Sequence, residues 1–173
     1  METRWVGTAP FCDPNPSQCE ATPGYIATGK DKCGNGACCW SGEKIKCEFN
    51  DKAWKSSQLY SEMIAENGQK AENIKPQFVW MGKAPACAVE ACDVFAAGLV
   101  PVKNSTCGDG SCCFTGEKWL GMKPILQSHK DLVKTGMKEC FEFKKLQEQT
   151  LQAGLGFGAK AISAIGSVAG KII

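Results

Sequence analysis

Twelve cysteines in 173 residues constrain this chain more than any other feature. They fall into two ordered sets. The first reads Cys12, Cys19, Cys33, Cys38, Cys39 and Cys47, and the second Cys87, Cys92, Cys107, Cys112, Cys113 and Cys140. An even, dense cysteine set points to a disulfide scaffold in an oxidising compartment. The residues around the cysteines match as well. Trp5-Val-Gly-Thr-Ala-Pro-Phe-Cys12 is answered by Trp80-Met-Gly-Lys-Ala-Pro-Ala-Cys87. Cys33-Gly-Asn-Gly-Ala-Cys38-Cys39-Trp-Ser-Gly-Glu-Lys44 is answered by Cys107-Gly-Asp-Gly-Ser-Cys112-Cys113-Phe-Thr-Gly-Glu-Lys118. So many ordered identities predict a duplicated module.

The copies diverge after Lys44 and Lys118. The first closes with Cys47, whereas the matching position in the second is Gly121, and the sixth cysteine of that half is Cys140. The second copy is therefore expected to reach forward and staple a later helix. A module this short rarely builds enough core on its own, so bridges worth roughly 2–4 kcal/mol each replace it. Vicinal cysteines do not bridge each other under ordinary disulfide geometry. Small loops Cys33–Cys38 and Cys107–Cys112 are expected. Cys12, Cys19, Cys39 and Cys47 then pair among themselves, as do Cys87, Cys92, Cys113 and Cys140, in an order that spacing leaves open.

The Gly-Asn-Gly and Gly-Asp-Gly runs suit tight turns. The segment Cys39–Cys47 predicts a short hairpin turning at Ser41-Gly42. Trp5 and Trp80 are expected to cover the bridges as apolar caps on a thin core. Cys33, Cys38, Cys39 and Cys47 hold enough thiolates for zinc. They lack paired Cys-x2-Cys knuckles, however, and the second copy loses the Cys47 equivalent, so no metal or other cofactor is expected.

The string Trp5-Val-Gly-Thr-Ala-Pro-Phe-Cys12, followed by Cys39-x-x-Gly-x-Lys-x-x-Cys47, resembles a cysteine-rich element of secreted invertebrate proteins. It also distantly resembles complement-control (sushi) modules, which close on Trp…Pro-x-Cys. The departures are plain: a sushi module has four cysteines, and its tryptophan precedes the last of them. The resemblance implies a small extracellular β recognition module and transfers no binding residue.

Four segments follow: module one over 4–49, a helical linker over 50–78, module two over 79–122, and a C-terminal helical region over 123–173. The expected fold class is α+β, with two small disulfide-rich β modules, a linker helix and a long C-terminal helical region. Asn50 or Asp51 caps the linker helix, and Leu59/Met63 and Tyr60/Ile64 form its apolar face. Pro124 is expected to open the last helix at its first turn. Leu126, Val133 and Cys140 recur every seven residues along it, with His129 on or near the stripe.

From Leu151 onward the chain is rich in glycine and alanine, and Lys160 and Lys171 are its only charged side chains. Leu151, Leu155, Phe157, Ile162, Ile165, Val168 and Ile172 are the candidate contact residues, for lipid or for a protein partner. At ~1.5 Å per residue this tail just spans a ~30 Å bilayer core. Its glycines and the central Lys160 oppose a constitutive span.

Composition excludes several classes of function. A net charge of +2 gives no field for nucleic acid. A single histidine, His129, and no Ser/His/Asp set, phosphate loop or metal signature argue against an enzyme. Asn104-Ser105-Thr106 is a glycosylation sequon, whereas Asn15-Pro16-Ser17 is blocked by its proline. No basic-then-apolar leader occurs near Met1, so the secreted reading implies one removed upstream. The expected function is a secreted, non-catalytic binding or assembly protein that meets a protein partner or its own copy through helices. The alternative is a membrane-active defence or toxin protein whose tail inserts into lipid.

Overall fold

The structure is a computed structural model, and it describes residues 3–152. The fold is mixed α+β. Its described residues fall into two compact units. One holds the chain through Asn73 together with Gly82–Ala88 and Asn104–Lys118. The other holds Ile74–Met81, Val89–Lys103 and the chain from Trp119.

The first module is a three-stranded antiparallel sheet. Its strands are β1 (Thr3–Val6), β2 (Tyr25–Asp31) and β3 (Lys44–Phe49), with β3 in the centre. Alternating burial along β3 puts Ile45, Cys47 and Phe49 inside. Arg4 lies opposite Cys47 on one side, and Ala27 on the other. Register shifts between Ala27 and Gly29, the mark of a bulge in β2.

No hairpin forms between Cys39 and Cys47. Trp40 and Ser41 instead bond back to the proline segment. Trp40 N–H donates to Pro10 O at 2.7 Å, and Cys12 N–H donates to Ser41 O at 3.0 Å. Gly42 takes φ +73°, and a Cβ there would strike the Cys12 carbonyl. The chain is thereby delivered into β3, which returns antiparallel along β2 across the 32–43 loop and takes β1 on its other side.

The linker helix breaks in two: α1 (Asp51–Lys55) and α2 (Gln58–Asn67). Asn50 caps α1, its side chain accepting from Ala53 N–H at 2.8 Å. The break lies at adjacent serines. Ser56 Oγ donates back to Lys52 O at 2.9 Å, and Ser57 Oγ accepts from Tyr60 N–H at 3.2 Å as the cap of α2. Leu59 and Met63 are buried, while Tyr60 and Ile64 are half-buried. Trp54, only 2% exposed, anchors an aromatic run with Phe49 (6.5 Å between ring centroids) and Tyr60 (5.7 Å). Phe49 meets Tyr25 edge-on at 5.7 Å. This run supplies the core that the small sheet lacks.

In the second module β4 (Phe78–Met81) pairs antiparallel with β7 (Thr115–Met122). β6 (Val100–Ser105) also pairs with β7, and β5 (Ala86–Ala88) adds in parallel. In the first module the parallel bridge Phe11–Ser41 occupies the place that β5 takes here. The second unit also contains α3 (Ala91–Ala96) and α4 (Gln127–Gln152).

α4 starts three residues after Pro124, not on it. Leu126 supplies the opening carbonyl, accepting from His129 N–H at 3.1 Å and Lys130 N–H at 3.0 Å. Leu126, His129, Val133 and Cys140 are all buried along one stripe. Gly136 lies on the same stripe, where a Cβ would run into the Phe95 ring of α3. This close approach sits beside the bridge from Cys92 to Cys140. Among the described residues no helix is long and apolar enough to cross a membrane.

Candidate functional site

All twelve cysteines are bonded. Cys33–Cys38 and Cys107–Cys112 close the two short loops. Cys12–Cys39 and Cys87–Cys113 tie the proline segment to the second member of each vicinal pair. The remaining bridges differ in reach: Cys19–Cys47 stays within the first module, and Cys92–Cys140 runs from α3 to α4. Packing disfavours a cysteine at the position equivalent to Cys47. A Cβ on Gly121 would lie 2.8 Å from Leu99 Cδ1 and 3.1 Å from Val94 Cγ1, so these side chains would have to move to admit one.

The two short loops are built alike. Asp31 Oδ1 accepts from Cys33 N–H at 3.1 Å, and the matching Ser105 Oγ accepts from Cys107 N–H at 3.3 Å and Gly108 N–H at 3.0 Å. Inside each loop the first cysteine's carbonyl accepts from a glycine N–H, from Gly36 at 3.2 Å and from Gly110 at 3.1 Å. A buried lysine supports each loop from beneath. Lys44 Nζ donates to Cys33 O at 3.0 Å and to Asn35 Oδ1 at 3.5 Å. Lys118 Nζ pairs with Asp109 Oδ1 at 3.9 Å. Trp5 lies over the first loop, its ring close enough to Gly34 that a Cβ there would sit 2.8 Å from it.

The residue after each vicinal pair is aromatic and exposed: Trp40 at 81% and Phe114 at 92%. Their backbones are nonetheless fixed. Phe114 N–H donates to Pro85 O at 2.7 Å, the same bond that Trp40 makes to Pro10. Both prolines follow cis peptide bonds, Ala9-Pro10 and Ala84-Pro85. Phe11, 69% exposed, meets Trp40 edge-on at 6.3 Å. The sequence alone does not single out these three aromatics. A signal exists in the shared Cys-Cys-aromatic triplet, but nothing local says whether such a ring points inward or outward.

Asn104 lies exposed in β6, one residue before the Ser105 turn. His129 is buried in the α4 stripe. Leu151 lies within the backbone of α4, while Leu155, Phe157, Ile162, Ile165, Val168 and Ile172 fall outside the described residues. No protein-family model, curated protein or solved structure matches this chain.

Proposed function

We propose that this chain is an extracellular, non-catalytic binding or assembly protein. Its duplicated cysteine loops hold aromatic side chains out for a protein partner or a second copy. One observation carries the reading. Trp40 and Phe114 stand almost fully in water, yet each is fixed at its own backbone by a bridge on one side and a proline carbonyl on the other. Exposed large rings cost solubility, and aromatic anchors recur at the centres of protein interfaces. Fixing the loop before contact reduces the entropy lost on binding. Full pairing of the cysteines supports the oxidising compartment.

A photoreactive residue placed at 40 or 114 in the oxidised protein tests this reading. Discrete adducts, with itself or with one other extracellular protein, are expected. Adduct yields no higher than those from the exposed position 66 would remove the support. A second reading, a membrane-active protein, rests on the sequence of residues 151–173. Vesicle leakage by the full chain, absent from a chain ending at Thr150, would favour it over the first.

A further inference from the structure

A cleft of about 610 Å³ lies within the first unit, between residues 7–21 and the 105–112 loop. That volume falls within the ~300–1,000 Å³ range of small-molecule sites. Its position is fixed by a bond between the two segments, since Gln18 Nε2 donates to Gly110 O at 2.9 Å. The capping turn Asn15–Gln18 holds one wall, with Asn15 Oδ1 accepting from Ser17 N–H at 3.1 Å. The Cys107–Cys112 bridge holds the other.

Apolar atoms, among them those of Phe11, Pro14, Ala21 and the Cys107–Cys112 bridge, make up most of the lining, and short polar groups are set among them. Thr8, Ser17 and Ser111 supply hydroxyls that both donate and accept, Asn15 an amide, and Asp13 a carboxylate that only accepts. Asp13 is exposed, and its carboxylate makes no hydrogen bond or ion pair with any described residue. No lysine or arginine lines the cleft, and the nearby Lys118 ammonium behind Gly110 is buried and paired with Asp109, so the cleft offers little counter-charge to a phosphate, a sulfate or an acidic sugar. Phe11 adds one exposed ring at the edge. The negative face of such a ring attracts polarised C–H groups. A ligand that meets all of this carries many hydroxyls, no negative charge and an apolar C–H face.

We propose that this cleft binds a neutral oligosaccharide of two or three units. Asp13 accepts from a pair of adjacent sugar hydroxyls, Thr8, Ser17 and Ser111 complete the hydrogen bonding, and Phe11 lies against a ring face. A peptide adding as a strand would need a free strand edge, and the cleft walls are mostly turns and loops. This site rests on the chain being a binding protein, as proposed above. It does not depend on Trp40 or Phe114 meeting a protein.

Amide chemical-shift titrations of the oxidised full chain with chitotriose, maltotriose and mannotriose test it. At least one is expected to shift Thr8, Asp13, Ser17 and Ser111 in a saturable way. Asp13→Asn, which keeps the side-chain shape, should weaken binding about tenfold. Phe11→Ala should weaken it similarly, and unchanged spectral dispersion will show that each variant folds. Three results would each overturn the proposal: no shifts at these amides at ~10 mM trisaccharide, tighter binding of a sulfated trisaccharide than of any neutral one, or undiminished binding by both variants. Adducts from positions 40 and 114 would still form in those cases, so the failure of the sugar site is separable from the failure of the broader reading.

Discussion

Lys44 donates its ammonium to the carbonyl of Cys33 at 3.0 Å while only 4% of the residue is exposed. A charged donor is thereby spent on the backbone of a short disulfide loop. Hydrogen bonds of this charge-assisted kind contribute about 1.5–3 kcal/mol. Lys44→Met keeps the stem and removes the donor, so denaturant unfolding should show a loss within that range. Lys118→Met should cost less, because its partner Asp109 stands at 3.9 Å and is partly exposed.

Gly42 and Gly116 share φ +73°, and a Cβ on either would strike a cysteine carbonyl, of Cys12 or of Cys87. Backbone is harder to displace than a side-chain tip. Gly42→Ala and Gly116→Ala should each destabilise by more than ~2 kcal/mol, from left-handed strain plus overpacking. Thermal unfolding of the oxidised variants measures this. A neutral result for either would contradict the close approach.

The bridge Cys92–Cys140 spans 48 residues and fastens α4. Replacing both cysteines with alanine should cost roughly 2–4 kcal/mol. Moving the cysteine to the position that the first module uses should not repair the loss. In Cys140→Ala combined with Gly121→Cys, the new side chain crowds Leu99 and Val94. Equal stability for that variant and the native chain, with a mapped bond between positions 92 and 121, would overturn the packing explanation.

Much of this arrangement is legible in the residues. The small loops Cys33–Cys38 and Cys107–Cys112 form as expected, and the Leu126/Val133/Cys140 stripe follows from helical period. What escapes is non-local. Whether Gly121 is a lost cysteine or a filled space depends on Leu99 and Val94, more than twenty residues earlier in the chain. The Cys39–Cys47 segment has hairpin composition, yet Trp40 and Ser41 bond to Pro10 and Cys12, partners that no local window includes. The outward Trp40 and Phe114 escape for the same reason. Large aromatics default to the core, whereas here a bridge on one side and a proline carbonyl on the other fix the backbone of these two.

Burial holds the Lys103 ammonium below the usual lysine pKa. A folded-state value below the unfolded one means that the unfolded chain binds the proton more tightly. The penalty is therefore in full force at neutral pH and is relieved as pH rises through the folded value towards the ordinary lysine range. Lys103 should titrate below the usual lysine range when followed by carbon-detected NMR. Lys103→Met should be at least as stable as the native chain at pH 7, and its advantage should shrink as pH rises.

The most direct test of two separately closed modules is a disulfide map of the native protein, digested without reduction and read by mass spectrometry. Six internal bonds are expected: Cys12–Cys39, Cys19–Cys47, Cys33–Cys38, Cys87–Cys113, Cys92–Cys140 and Cys107–Cys112. Free thiols in the native protein, or any bond joining the first six cysteines to the last six, would contradict it.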